Sequence, residues 1–224
     1  MKNFNKKYIS TLFIIYLLVS FINSKEYVLL VSFDGFRYDY ADMVDTPNFD
    51  RVKDEGVKAK SLVPIFPTLT FPNHYSIATG CYSDKHRIIS NTFYSKALSK
   101  KYSMYDKSTV IDSSFYGAEP IWVTAEKNRL KSASYFWVGS EAIGKTPSIY
   151  KNYDSSVPFT SRVDSVISWF NLSENKRPDL VLLYFNEPDH TGHMFGPESV
   201  EIADMITQTA VSYTHLTLPT NREV

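Results

Sequence analysis

The chain has 224 residues, enough for one large domain or two small ones, and its 43% hydrophobic and 15% aromatic content excludes wholesale disorder. Lys+Arg and Asp+Glu are 24 each, so the net charge is zero and nothing points to binding of a nucleic-acid duplex or to an acidic tail. The sole cysteine, Cys81, excludes a disulfide framework and a cysteine-rich zinc module, so any metal site must use Asp, Glu, His or hydroxyl ligands.

Residues 1–24 have the pattern of a signal peptide. Lys2, Lys6 and Lys7 form a positive head, residues 9–22 are apolar, and Ile22 and Ser24 fit a cleavage site loosely. The apolar run is short for a membrane span, and no cysteine follows it as a lipoprotein anchor would require. The expectation is an exported protein, periplasmic or extracellular, with no stable membrane span after cleavage. A retained N-terminal anchor is the alternative.

Short apolar runs then alternate with amphipathic stretches. Residues 27–33 (YVLLVSF) read as a strand buried on both faces. Thr46 and Pro47 start a helix as N-cap and first residue, Phe49 and Val52 face inward, and Gly56 can stop it. Residues 57–63 are a second strand candidate. Residues 71–79 read as a helix closed by Gly80, 120–130 as another helix and 132–137 (SASYFW) as a strand. Val163, Val166, Ile167 and Phe170 give 160–170 a helical period, and 180–185 (LVLLYF) is again a buried strand. The pattern predicts an α/β fold, a mostly parallel sheet flanked by helices. A helix at 199–209 is interrupted by VSYTHLTLPT, which has no helical or strand period and matches the translated end of a transposase sequencing adapter. Residues 210–224 are therefore expected to be a foreign tail.

In open α/β sheets, function gathers beyond the carboxyl ends of the strands. Asp34 directly follows YVLLVSF, and Asp189 lies four residues after LVLLYF. Two carboxylates at equivalent strand ends suggest a metal. His193, four residues beyond Asp189, can share that metal through a turn or one helical turn. Asp34 could also be a strand-end turn residue, and Asp189 with His193 a hydrogen-bonded loop pair. Thr70, in FPTLTFPNHYS, precedes a helix start. A hydroxyl there sits at the positive end of the helix dipole, and a nearby divalent metal would make it nucleophilic. Its commonplace role would be an N-cap.

Four segments in this order, SFDGFRYDY, PTLTFPNHYSIATG, EPIWVTAE and FNEPDHTGHMFGP, resemble the nucleotide pyrophosphatase/phosphodiesterase family of type I phosphodiesterases, in the alkaline phosphatase superfamily. The resemblance covers residues 25–209, as the first half of a catalytic domain. It implies an alkaline-phosphatase-like fold, truncated at the C-terminus, and two Zn²⁺ ions about 4 Å apart. Asp34 would bind the zinc that carries Thr70, the nucleophile, and Asp189 and His193 would bind the other. The amide of Asn91 would hold a phosphate oxygen, and Phe71, Tyr153 and Tyr184 would line a slot for the base. The implied reaction is zinc-dependent hydrolysis of nucleotide phosphodiester or pyrophosphate bonds through a nucleotidyl-threonine. The family also uses an Asp-His pair and a final His beyond the last segment. Neither is present here, so each zinc has only part of its shell and the chain as written is expected to be inactive. Cys81 lacks the C-x-P-S-R context of a formylglycine sulfatase. Two other readings stay open: a phospholipid- or phosphocholine-directed phosphodiesterase on the same site, and a non-catalytic exported binding protein.

Overall fold

The structure, a computed structural model, describes residues 25–214. The expected signal peptide and residues 215–224 of the expected tail lie outside the described residues. In chain order the elements are β1 (Val28–Phe33), α1 (Pro47–Glu55), α2 (Thr70–Thr79), α3 (Ser83–His86), β2 (Thr92–Ser95), β3 (Lys100–Ser103), α4 (Lys107–Val110), α5 (Ile121–Lys127), β4 (Ser132–Tyr135), β5 (Ile149–Lys151), α6 (Phe159–Phe170), β6 (Leu180–Phe185), α7 (Asp189–Phe195) and α8 (Val200–Thr214).

β1, β6, β4 and β5 form one sheet in that spatial order, every pair parallel, while β2 and β3 make a separate antiparallel ladder. The α/β expectation holds. β6 lies between two neighbours and all six of its residues are buried, which is why its sequence is an unbroken apolar run. β1 is as apolar but only half buried, because among the described residues it pairs on one side alone; Val28 is 55% exposed. The reading of β1 as buried on both faces is corrected to that extent. α5 and α6 pack on the sheet, and α8 rests on α1, α6 and α7, with Ile202 and Ile206 fully buried beside Tyr40.

Three local expectations change. Residues 57–63 form no strand: Val57 is 96% exposed, and among the described residues no neighbouring strand takes up the segment's backbone groups. Thr46 precedes α1 as expected, but its hydroxyl donates backward to the Ala41 carbonyl (3.2 Å) instead of capping, and Val52 is exposed while Phe49 packs edge-on against Phe33 and Phe36. The break at Val211 does not occur. α8 continues to Thr214, with Ser212 buried and donating to the Gln208 carbonyl one turn back. Ser and Thr can close such bonds to a carbonyl four residues back, so a sequence without an apolar period still continues a helix.

His86 joins α3 to α2 inside the core. Its Nδ1 accepts the Ile88 N–H (3.2 Å), so the proton sits on Nε2, which lies 2.8 Å from Ser76 Oγ. Burial holds its pKa below the ordinary 6.5. The unfolded chain therefore binds this proton more readily. Stability from the neutral ring is complete above pH about 6.5 and is lost as pH falls below it. Urea unfolding at pH about 7.5 and about 5.5 should show a smaller acid-induced loss in His86→Gln than in the parent. Equal losses would mean that His86 does not carry this dependence.

Candidate active site

The β1–β6 pairing builds the site. The strands run in register from Val28 opposite Leu180 to Phe33 opposite Phe185. Beyond the last pair, the Asp34 N–H donates to the Phe185 carbonyl (2.9 Å) and the Asp189 N–H donates to the Asp34 carbonyl (3.0 Å). The two aspartates are thus neighbours by backbone bonding alone. Gly35 makes this approach possible. Its φ is +64°, and a Cβ there would lie 2.7 Å from Asp189 Cα. Asp189 opens α7, and His193 follows one turn later with Nε2 3.6 Å from Asp189 Oδ1.

The other half of the site comes from the N-terminus of α2. Leu69 occupies the cap position and Thr70 is the first helical residue. Its hydroxyl donates to Asp34 Oδ2 (3.0 Å), and the Tyr184 hydroxyl donates to the same oxygen (2.8 Å). Asn91 accepts the Phe71 N–H at Oδ1 (3.0 Å), which orients its amide and leaves the NH₂ without a partner among the described residues. Burial, then the charge of Asp34, push the Asp189 carboxyl above the usual range. The same two causes push the Tyr184 hydroxyl far up, so it remains a donor.

All eight residues singled out in the sequence, Asp34, Thr70, Phe71, Asn91, Tyr153, Tyr184, Asp189 and His193, line one cavity of about 1580 Å³. They are not equivalent. Tyr184 is buried and its hydroxyl is held by Asp34, whereas Tyr153 is half exposed, 6.4 Å from Tyr184 between ring centroids. Tyr153 is positioned by Glu141, which accepts its backbone N–H, and by Phe136 at 5.2 Å. Phe71 packs edge-on against Tyr102.

Three supporting residues went unread in the sequence. His74 is buried one turn after Thr70, with Nδ1 2.8 Å from the Thr70 carbonyl and Nε2 2.9 Å from Ser32 Oγ. A carbonyl only accepts, so Nδ1–H donates to Thr70 while Nε2 bonds to the Ser32 hydroxyl. The ring thereby ties the helix bearing Thr70 to the strand that leads into Asp34. Arg162 is fully buried on α6. It donates to the carbonyls of Val157 and Tyr184 and to Asn186 Oδ1, and lies about 5 Å from the rings of Phe136 and Phe159. It secures the chain as β6 leaves the sheet. Glu141 is the third. The i, i+4 spacing of Thr70 and His74 was the available signal for the first; the other two bind across long sequence separations that no local pattern encodes.

A metal would meet two pairs of donors, Asp34 with Thr70 and Asp189 with His193. Carboxylate, hydroxyl and imidazole suit zinc. Burial, and then the charge of Asp34, raise the Asp189 pKa, and a cation beside the pair would offset both by favouring the ionised carboxylates. Zinc normally takes three or four protein ligands, however, and among the described residues no three His, Cys, Asp or Glu side chains converge on a metal position. The residues fit parts of two shells, neither one complete.

A family model described as type I phosphodiesterase / nucleotide pyrophosphatase matches residues 28–210. Similar proteins include the venom phosphodiesterase CdcPDE of Crotalus durissus collilineatus, 46% identical over 78% of this chain and 22% of its own length. Ectonucleotide pyrophosphatase/phosphodiesterase family member 1 of Homo sapiens is 43% identical over 78% of this chain and 19% of its own length. Among solved structures, murine ectonucleotide pyrophosphatase / phosphodiesterase 5 superposes with a TM-score of 0.81 at 35% identity, covering 85% of this chain and 51% of that one. The chain spans about a fifth of the length of these curated relatives. It belongs to the type I phosphodiesterase / nucleotide pyrophosphatase family.

The coupling of the two aspartates is measurable without metal. Asp34→Asn removes a negative neighbour, which favours ionised Asp189, so the Asp189 titration midpoint should fall toward the ordinary carboxylate range. Carbon NMR of labelled aspartate reads this directly. An unchanged midpoint would show that the two side chains do not interact.

Proposed function

We propose that the protein to which this chain belongs is an exported zinc-dependent hydrolase of nucleotide phosphodiester and pyrophosphate bonds, acting through a nucleotidyl-threonine at Thr70. One observation carries the reading: the Thr70 hydroxyl, at the N-terminus of α2, is held on the carboxylate oxygen of Asp34 that also accepts from Tyr184. A hydroxyl fixed by two strands' worth of backbone is set for attack rather than for capping. Support comes from a further murine solved relative, a threonine-to-alanine variant described as inactive and in complex with AMP, 34% identical to this chain.

In this mechanism Thr70 Oγ attacks phosphorus in line. The Oγ–P bond forms, the bond to the leaving oxygen breaks, and the hydroxyl proton departs along its hydrogen bond toward Asp34. The positive end of α2 and the free NH₂ of Asn91 face developing charge on the phosphoryl oxygens. Water then attacks the same phosphorus, the Oγ–P bond breaks, and Thr70 recovers its proton. Bound zinc would supply Lewis-acid stabilisation of the oxygens on phosphorus. Asp34 and Thr70 would hold one ion and Asp189 and His193 the other, with the remaining donors coming from outside the described residues. Tyr153 and Phe71 offer rings against which a base can stack. Residues 1–24 act in this reading as the export signal, consistent with similarity to venom and ecto-enzymes.

Thr70→Ala in the full-length protein should abolish turnover and leave folding intact, and Thr70→Ser should retain part of it; near-native kcat in the alanine variant would remove Thr70 as nucleophile. Phe71→Ala and Tyr153→Ala should each raise KM for a nucleotide ester about tenfold, from losing about 1–3 kcal/mol of stacking, and should affect a small chromogenic ester without a base much less. Equal losses on both substrates would assign these rings to packing alone.

A further inference from the structure

The loop between α6 and β6 contains the single Asn-x-Ser/Thr triplet of the whole sequence, Asn171-Leu172-Ser173. Neither the middle residue nor the one that follows the triplet is proline. We propose that Asn171 is an N-glycosylation site, a reading that rests on the export proposed above.

Three features of the structure support it. Asn171 and Ser173 are both exposed. Asn171 closes α6 through its backbone alone, its N–H donating to the Ile167 carbonyl (3.0 Å), and its side-chain amide has no partner among the described residues. Among the described residues Ser173 bonds only within its own loop: its hydroxyl donates to Asn175 Oδ1 (2.8 Å) and its carbonyl accepts the N–H groups of Lys176 and Arg177. A glycan on Asn171 therefore displaces no contact of the fold. The third feature is position. All four strands of the main sheet run parallel, so the loop at 171–179 lies at their amino ends and the cavity lies at their carboxyl ends. The six residues of β6 separate the two by roughly 16–20 Å. A large hydrophilic group at Asn171 would shield the amino-terminal pole of the sheet while leaving the substrate path open.

The chemistry balances with a lipid-linked oligosaccharide diphosphate as donor. Asn171 Nδ2 bonds to the anomeric carbon of the first sugar. The bond from that carbon to the diphosphate oxygen breaks, its electron pair leaves with the lipid diphosphate, and the amide nitrogen gives up one proton.

The test is to produce the full chain with its own residues 1–24 in animal cells, and to compare its mass before and after peptide N-glycosidase in heavy-oxygen water. The exported chain should lose the mass of an oligosaccharide and carry heavy-oxygen aspartate at position 171. Asn171→Gln and Ser173→Ala should each lose the modification completely, while Ser173→Thr keeps it. Exported chain with no glycan, or a glycan that survives in Asn171→Gln, would overturn the site. Protease protection of the membrane fraction reports whether the chain entered the lumen. A chain left in the cytosol would overturn both the export reading and this one. All these readouts are independent of phosphodiesterase activity, so a failure of the catalytic reading is separately visible. In the full-length protein Asn171→Gln should leave kcat and KM unchanged, and a change in either would contradict the placement of the glycan away from the cavity.

Discussion

Parallel pairing of β1 with β6 is the constraint on which the site depends. The register that aligns Phe33 with Phe185 continues into two further backbone bonds, Asp34 to Phe185 and Asp189 to Asp34. Two carboxylates 155 positions apart in sequence become neighbours before any side chain interacts. A slip of one residue would reverse the faces that one strand presents and break the two backbone bonds that bring the aspartates together. The absence of a side chain at Gly35 is part of the same constraint, because Asp189 Cα occupies the space a Cβ would need. This proximity has an electrostatic consequence: burial and the Asp34 charge together raise the Asp189 pKa.

Around that pair, side-chain hydrogen bonds join separate elements of the fold. Asp34 accepts from Thr70 and Tyr184, His74 joins Thr70 to Ser32, and Trp137 donates to the His74 carbonyl. Arg162 lies fully buried and, among the described residues, has no carboxylate bound to it; two carbonyls, an amide oxygen and the faces of aromatic rings compensate its charge. Such networks are costly if broken and rigid when complete. Their rigidity suits a site in which a hydroxyl must stay aimed at one point.

The parts legible in the sequence were those whose information is local. LVLLYF announces a strand buried on both faces, and the structure buries all six residues. Asp34, Thr70 and Asp189 could be found because each stands at the end of an element, where α/β chemistry collects, and His193 because it lies one helical turn beyond Asp189. The loop at 57–63 shows the limit of the same reasoning. Its apolar residues resemble those of a strand, but strand formation depends on a partner elsewhere in the chain, and here the segment remains exposed. Val211–Thr214 show the opposite case, a stretch without an apolar period that still extends a helix held on the fold by buried Ile202 and Ile206. Glu141 and Arg162 could not be read ahead of the fold, since their partners are assembled by the sheet. The resemblance places Tyr184 at a base slot, but only the folded arrangement reveals its hydroxyl bond to Asp34.

The mechanism proposed for the protein is a two-step displacement at phosphorus, with Thr70 as the nucleophile. The stereochemical course tests that claim most directly. Hydrolysis of a nucleotide ester made chiral at phosphorus, catalysed by the full-length protein in heavy-oxygen water, reports how many in-line attacks occur. Each attack inverts the centre, so transfer to Thr70 followed by transfer to water predicts net retention of configuration. Net inversion would mean that water attacks the substrate in a single step, and would contradict the covalent role assigned to Thr70.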